Sequence, residues 1–215
     1  MKKLFFPALV AAVLASAPAF AQKPMAQKTT AGTDNAAATV YKLQPQLSTM
    51  GWLAKKVTGQ HNGTVQFKDG EMLVRGNKLV GGTFTADMNS LKVVDIKDEG
   101  TNGKLVGHLR SDDFFSIEKN PTSTFKITNI TPIKADAQGN NATITGDLTI
   151  KGITKPVTFP AKIGVKNGKA SASGVATIDR TQFDIRYGSK SFFESIGDKA
   201  IDDTFTLSFN VIANK

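Results

Sequence analysis

The feature that most constrains the fold of this chain is an alternation of apolar and polar residues with a period of two. It recurs from Thr39 to the C-terminal end of the sequence. The clearest stretch has four apolar residues separated by threonine, serine and asparagine: Phe205, Leu207, Phe209 and Val211. Successive side chains of a β-strand point to opposite faces, so this pattern predicts strands with one face in a core and one in water.

Turn signals separate the alternating stretches. Glycine, asparagine and aspartate cluster at five places: Lys68-Asp69-Gly70, Arg75-Gly76-Asn77, Gln138-Gly139-Asn140, Lys151-Gly152 and Lys166-Asn167-Gly168. Such residues favour the tight turns of β-hairpins. About eight strands joined in this way predict an all-β fold, in which an up-and-down antiparallel barrel encloses the apolar face.

One stretch, Gly107 to Ile127, interrupts the alternation and predicts short helices near one barrel end. Leu105 and Leu109 stand four residues apart, as they do on one face of a helix. Ser111, followed by two aspartates, has the pattern of an N-cap with acidic residues in the first turn. Pro121 then favours an extended backbone, so we expect two short helical turns that end before it.

A further helical turn is predicted before the last strand. Ser191 and Glu194 have the spacing of a capping box, and Gly197 has the position of a residue that ends the turn. Both predicted helical regions carry a pair of adjacent phenylalanines. These are Phe114, Phe115, Phe192 and Phe193. Such rings hold too much apolar area to leave in water, so we expect them to close or line one end of the barrel.

The N-terminal residues predict export. Residues 1–21 have the parts of a secretory signal peptide: two lysines, an apolar run and a small-residue cleavage site that ends at Ala21. Residues 22–38 lack apolar periodicity and are expected to form a flexible leader. One barrel domain over residues 39–215 remains, a length that can bury a proper core.

Composition excludes several functions. The sequence contains no cysteine, which excludes disulfides, thiol catalysis and thiolate metal sites. The formal net charge is +9, but the lysines are spread singly and no aromatic-interleaved basic motif occurs. Nucleic acid is therefore not an expected partner, whereas a weak attraction to anionic membrane surfaces is.

The side chains offer little material for catalysis. The sequence has two histidines, His61 and His108, and it contains no nucleophile elbow, no H-E-x-x-H motif and no phosphate-binding loop. His108 and Asp112 stand four apart and could share a metal only on a continuous helix, which Ser111 is expected to break. Structural hydrogen bonds are the favoured role for both histidines, and neither a metal nor a cofactor is expected.

Small residues on the predicted inward face leave two arrangements open. Eight such positions carry glycine or alanine: Gly82, Ala86, Ala142, Gly146, Ala161, Ala172, Gly174 and Ala176. An eight-stranded barrel can fill its interior with side chains or hold one small ligand, and the size of the inward residues decides which. The small residues therefore form a long apolar slot, or they pack opposite the rings of Phe84, Phe159 and Phe209.

Three groups of motifs follow one another in order. The first comprises His108-Leu109, Ser111, Asp113-Phe114-Phe115, Glu118-Lys119, Pro121-Thr122 and Thr124-Phe125-Lys126. The second is the stretch GDLTIKGITKPVTF, which runs from Gly146 to Phe159. The third comprises Arg180, Phe183, Ile185, Ile196-Gly197-Asp198 and the stretch from Thr204 to Phe209. From Tyr41 to Ile212 the chain thus resembles the YceI-like family of lipocalin-like, isoprenoid-binding proteins.

The resemblance implies a lipocalin-like barrel in the periplasm that binds, stores or transports a long apolar lipid, such as an isoprenoid, an isoprenoid quinone or a fatty acid. It implies no catalytic step. Two alternatives are an envelope hydrolase or isomerase that uses His108, and a small outer-membrane barrel; pairing into a homodimer stays open. The residues expected to contact the lipid are Trp52, Phe67, Phe84, Phe114, Phe115, Phe125, Ala172, Gly174, Ala176, Phe183, Phe192 and Phe193.

Overall fold

The structure, a computed structural model, describes residues 37–194 and 197–215. The predicted signal peptide, most of the predicted leader and Ile196 of the third motif lie outside these residues. The described part contains one helix and nine strands: β1 (Thr39–Leu43), β2 (Thr49–Lys56), β3 (Gly59–Arg75), β4 (Lys78–Val93), α1 (Glu99–Arg110), β5 (Thr122–Pro132), β6 (Ala142–Ile150), β7 (Ile153–Lys166), β8 (Lys169–Asp179) and β9 (Ile201–Asn214). Short 3-10 turns cover Pro45–Leu47, Arg180–Phe183 and Gly197–Lys199.

The strands form a closed antiparallel barrel, as the alternation predicts. Each of β3 to β9 pairs with its neighbours in sequence, and β2 closes the ring between β3 and β9. β1 pairs with the far ends of the same two strands, so β1 and β2 behave as one strand interrupted by the 3-10 turn at Pro45. The barrel therefore has eight strand positions, and its chain path is up and down.

Two of the predicted hairpin turns have the geometry that their residues favour. Lys151 and Gly152 have φ of 53° and 74°, and Asn167 and Gly168 have φ of 51° and 71°. Two successive positive φ angles match the twist of the flanking strands, which is why short hairpins use them. The turn predicted at Lys68-Asp69-Gly70 is wrong, because β3 continues through it with a register shift between Phe67 and Asp69.

The first predicted helical region is one helix, and the role predicted for Ser111 is wrong. Helix α1 begins after Asp98, whose carboxylate accepts a hydrogen bond from the Thr101 amide. Ser111 is its C-cap, because both its amide and its hydroxyl donate to the carbonyl of His108.

In the described part of the chain, no helix has the length and apolar character needed to cross a bilayer.

The helical turn predicted at Ser191 to Glu194 is also wrong. The Ser191 hydroxyl donates to the Asp203 carboxylate on β9 instead of capping a helix. Gly197 begins a short 3-10 turn rather than ending a helix. A contact between segments distant in the sequence therefore replaces the local capping pattern.

The barrel interior is mainly apolar and is closed at one end. There, the buried side chains of Tyr41, Leu43, Met72, Val74 and Ala213 pack together where β1 joins β3 and β9. At the opposite end lie helix α1 and the long connection between β8 and β9. We call this opposite end the cap end.

Candidate functional site: an apolar cavity under the cap

A cavity fills the barrel between the closed end and the cap end. Its volume is about 190 Å³, counted as the space open to the centres of water molecules. Strands β2 to β9 all contribute to its wall, together with Leu109 of α1. Apart from Trp52, whose indole N–H donates to the Lys92 carbonyl, four lining residues bear polar groups, and all lie at or next to strand ends on the cap side: Ser123, Thr124, Arg180 and Asp202. The cavity is therefore a blind apolar slot with its polar groups at the cap end.

The inward alanines and glycines have different roles. Ala86, Ala172 and Ala176 line the cavity. A Cβ atom on Gly146 would lie 2.4 Å from the Phe125 ring, and one on Gly174 would lie 3.0 Å from the Phe209 ring and 2.8 Å from a backbone carbonyl. These two glycines thus give space to aromatic rings, whereas Ala86, Ala172 and Ala176 face empty space; Ala142 and Ala161 are buried and do not line the cavity. Both arrangements that the sequence left open occur in the same barrel.

Two segments cover the cap end of the cavity. The first cap segment is residues 111–121, which follow α1, and the second cap segment is residues 180–194, which follow β8. Their rings meet, since the ring centres of Phe114 and Tyr187 lie 5.5 Å apart and His108 lies 4.5 Å from Tyr187. Phe115 enters the cavity and contacts Phe205 of β9 at 6.5 Å between ring centres.

Lys151 joins the two cap segments. Its Nζ donates to the carbonyl of Asp112 at 2.8 Å and to the carbonyl of Asp184 at 3.0 Å. The residue belongs to the β6–β7 hairpin. Its positive φ of 53° is uncommon for residues other than glycine and asparagine. Lys151 therefore occupies a turn position that favours other residues, and it bridges the cap from there.

Replacement of Lys151 by methionine should loosen both cap segments. The change removes two hydrogen bonds from a charged donor, and we expect amide hydrogen exchange in the cap segments to accelerate about fivefold, as for a loss near 1 kcal/mol. Mass spectrometry of deuterium uptake measures this directly. Lys162→Met, at an exposed position on β7, is the matched control and should leave cap exchange unchanged. Equal exchange in Lys151→Met and wild type would contradict the bridging role.

Arg180 anchors the second cap segment from within the protein. Its side chain is 5% exposed and lies between the cap and β9. Nε donates to the carbonyl of Asp202, and Nη2 donates to the carbonyl of Ile201 at 3.0 Å. Nη1 donates to the carbonyls of Ile185 and Tyr187 at 2.8 and 2.9 Å. One guanidinium thereby fixes the path of the cap segment against the first residues of β9.

Asp203 provides the counter-charge to this buried cation. Its Oδ1 lies 3.6 Å from Nη2 of Arg180. Burial raises the pKa of Asp203, but hydrogen bonds from Ser189 and Ser191 and the charge of Arg180 outweigh it, so the pKa is lowered. Burial lowers the pKa of Arg180, and the nearby aspartates oppose that shift. The lowered pKa of Asp203 favours its carboxylate form, which faces the Arg180 guanidinium.

Of the twelve residues predicted to contact a lipid, eight line the cavity: Trp52, Phe67, Phe84, Phe114, Phe115, Phe125, Ala172 and Ala176. The structure places the other four elsewhere. Gly174 lies under the Phe209 ring, and Phe183 is buried outside the cavity wall. Phe192 and Phe193 are 44% and 49% exposed and do not line the cavity. The amides of Phe192 and Phe193 both donate to the Ser189 carbonyl, in a turn.

The two histidines make structural contacts. His61 Nδ1 lies 2.8 Å from a carboxylate oxygen of Asp95, and His108 Nε2 lies 3.1 Å from one of Asp113. His108 is not a cavity-lining residue, although Leu109 beside it is. Within residues 37–194 and 197–215, His, Asp and Glu side chains form no group of three that could hold a metal ion.

Sequence reasoning missed the functional placement of Arg180 and Lys151. Arg180 had a local signal, since it follows a strand whose inward residues are all small or apolar, and an arginine there needs buried partners. Lys151 had a weaker signal, because it stands before Gly152 where hairpins favour asparagine or aspartate. The partners of Lys151 and the β9 partners of Arg180 lie more than twenty residues away, and no local pattern identifies them.

Solved structures share this barrel. BcnA from Burkholderia cenocepacia is 23% identical, with a TM-score of 0.61 over 80% of this chain and 99% of that chain. A domain from Saccharophagus degradans, described as polyisoprenoid-binding and implicated in plant cell wall breakdown, is 14% identical. Its TM-score is 0.54, over 81% of this chain and 97% of the domain. At these identities the likeness establishes the fold.

Sequence comparison establishes the family. A UPF0312 protein of Pseudomonas aeruginosa is 42% identical over 86 residues, which are 37% of this chain and 42% of that protein. Protein YceI of Escherichia coli is 36% identical over 115 residues, which are 49% of this chain and 58% of that protein. The chain thus spans about half the length of these curated relatives. The family model described as the YceI-like domain matches residues 41–213. This chain therefore belongs to the YceI-like family.

Proposed function

We propose that this protein binds a long apolar lipid inside its barrel, and that it stores or carries that lipid in the periplasm. The observation that supports the proposal is the blind apolar cavity, whose wall is built by every strand from β2 to β9. An isoprenoid, an isoprenoid quinone or a fatty acid has the matching chemistry. The cavity offers carbon atoms along its wall and polar groups only at the cap end.

The hydrophobic effect can hold such a ligand without a charged anchor. Burial of each CH₂ group contributes about 0.8 kcal/mol, so a chain of ten groups gains several kcal/mol even after the cost of ordering it. The guanidinium of Arg180 already donates to four carbonyls. Arg180 therefore supports the cap rather than offering free donors to a ligand.

A comparison and a sequence-based prediction further support the proposal. The domain from Saccharophagus degradans that shares this fold is described as polyisoprenoid-binding. The predicted signal peptide supports export, and hence a place in the periplasm.

A binding role also fits His108 better than catalysis does, since its partners are Asp113 and the rings of Phe114 and Tyr187. An outer-membrane barrel would place apolar residues outside and polar ones inside, the reverse of the arrangement here.

Protein purified without detergent should carry an extractable apolar lipid in near-stoichiometric amount. Native mass spectrometry should detect the complex, and organic extraction followed by mass spectrometry should identify the lipid. A protein of similar size without a cavity, purified from the same cells, is the control for carry-over. Repeated preparations that contain no lipid above this control, and that take up no added polyprenol, would contradict the proposal.

A further inference from the structure

The hydrogen-bond ladder of the barrel wall has a break between β7 and β8. Residues 161–166 of β7 pair with residues 169–174 of β8. Towards the cap end, residues 153–160 of β7 and 175–179 of β8 have no ladder pair with each other within these fully described strands. Both stretches stay paired on their other side, the first with β6 and the second with β9. We call the two unpaired edges the side seam.

The residues of the side seam explain why the ladder ends. Pro156 and Pro160 lie on the β7 edge, and Pro160 is the first residue beyond the last ladder pair. Proline has no backbone N–H, so within sheets it is confined to positions that need no donor, such as strand edges. The β8 edge ends at Asp179, whose carboxylate accepts a hydrogen bond from the Thr181 amide and begins a 3-10 turn.

The side seam runs along the cavity. Val157 and Phe159 on the β7 edge line the cavity, and so do Ala176 and Ile178 on the β8 edge. Side chains, and not backbone hydrogen bonds, therefore separate the cavity from the surface between these edges. A strand of five residues spans about 17 Å, so the side seam is long enough to pass an extended hydrocarbon chain lengthwise.

The two ends of the side seam are held differently. Near the middle of the barrel, the Phe159 ring packs between Phe125 and Phe209, at 5.5 and 5.4 Å between ring centres. At the cap end, Lys151 directly precedes the β6–β7 turn glycine, and its Nζ donates to the carbonyl of Asp184 in the second cap segment. Packed rings thus hold the inner end, and the Lys151 hydrogen bond clasps the outer end.

Two other breaks in the ladder are less suited to passage. Opposite β3, the 3-10 turn at Pro45–Leu47 takes the place of a strand, and the adjoining Gln44 amide fixes it by donating to the Ile212 carbonyl of β9 at 2.8 Å. Between β4 and β5, residues 78–82 lack a partner on β5, but this break lies at the closed end. None of residues 78–82, all of which the structure describes, lines the cavity.

We propose that an apolar ligand enters and leaves the cavity sideways, through the side seam, when β7 and β8 move apart. Separation of paired strands breaks a backbone ladder, whereas separation of these edges breaks none. The cap end is less open to passage, because the rings of Phe114 and Tyr187 are in contact there and Arg180 fixes the second cap segment to β9. The inference rests on the proposed function, since a passage has a role only if the cavity takes up a lipid.

Trp52 provides a reporter for the passage of a ligand. It is the one tryptophan of the sequence, and it lines the cavity. Quinones quench indole fluorescence at short range, so rapid mixing of the protein with a short-chain isoprenoid quinone measures uptake. Mixing of loaded protein with phosphatidylcholine vesicles, which absorb the quinone, measures release.

A removable crosslink across the side seam is the decisive test. Continuation of the register that pairs Ala161 with Gly174 sets Thr158 opposite Thr177, and both threonines are exposed. Because the native chain has no cysteine, Thr158→Cys and Thr177→Cys can be joined by bifunctional thiol reagents of increasing length that a reductant cleaves. We expect the joined protein to take up and release quinone at least about tenfold more slowly, with a Kd within about twofold of wild type. Reduction should restore both rates.

Two matched comparisons accompany this test. Thr177→Cys joined to Thr206→Cys bridges residues that already pair in the β8–β9 ladder, and this protein should exchange quinone like wild type. Lys151→Met releases the clasp and should speed uptake and release together about fivefold, whereas Lys162→Met should change neither rate.

The outcomes separate the passage from the proposed function. Wild-type rates in the protein joined across the side seam would overturn the passage and leave lipid binding intact. A joined protein with a raised Kd and fast release would also overturn it, because the crosslink would then act on the shape of the cavity. Wild-type protein that binds neither quinone nor polyprenol would overturn the proposed function and the passage together.

Discussion

Replacement of Arg180 by methionine should lower the free energy of unfolding by about 3 to 5 kcal/mol, because it removes one partner from a buried charged network. Four carbonyl groups that now accept from the guanidinium would lose their donor. Asp203, a partly buried carboxylate, would lose its counter-charge. Urea unfolding followed by circular dichroism measures the change. An unchanged dependence of the unfolding free energy on urea concentration would show that variant and wild type expose similar surface when they unfold.

A matched arginine in the same segment provides the control. Arg186 is 58% exposed at its side chain and pairs with Asp184 on the surface. Arg186→Met should therefore cost less than about 1 kcal/mol. Equal effects of the two substitutions would contradict the anchoring role of Arg180. We also expect Arg180→Met to release bound lipid faster than wild type, since the second cap segment loses its attachment to β9.

Replacement of Ala176 by phenylalanine should abolish most of the lipid load and leave the lipid-free protein nearly as stable as before. Ala176 is buried and lines the cavity, so a ring at this position occupies space that a ligand would use. In a core packed to normal density the same change would cost about 1 to 3 kcal/mol, because neighbours would have to leave their rotamers. Denaturant midpoints of lipid-free wild type and variant, with the lipid content of each as purified, measure both effects.

Val175→Phe is the control for this substitution. Val175 is the preceding residue on β8 and is 54% exposed, so a ring there points away from the cavity. Its lipid load should equal that of wild type. A destabilised Ala176→Phe protein that keeps its full lipid load would show that this part of the wall is ordinary core.

The cavity wall could be predicted from the sequence to the extent that it depends on alternation. Ala172 and Ala176 were predicted to face inward from the pattern of β8, and both line the cavity. Gly174 lies on the same side of the same strand, yet the Phe209 ring and the Pro160 carbonyl fill the space in front of it. The difference between these neighbours depends on rings from other strands, which the alternation does not specify.

The cap could be predicted only in part. Adjacent phenylalanines indicated that rings would gather at a barrel end, and Phe114 and Phe115 do so. Phe192 and Phe193 have the same local pattern but point outward. Ser191 bonds to Asp203 and Arg186 lies over the Phe192 ring, and these contacts hold the second pair on the surface.

The sequence by itself determined the barrel, its inward and outward faces and most of its hairpins. These features follow from a two-residue period and from turn residues with positive φ, which act within a few residues of the chain. Tertiary structure alone decided where the cavity ends, which small residues face the cavity rather than an aromatic ring, and which contacts hold the cap segments in place. Each depends on contacts such as those of Arg180 with β9 and of Lys151 with both cap segments. Such contacts join residues far apart in the sequence, so no local pattern encodes them.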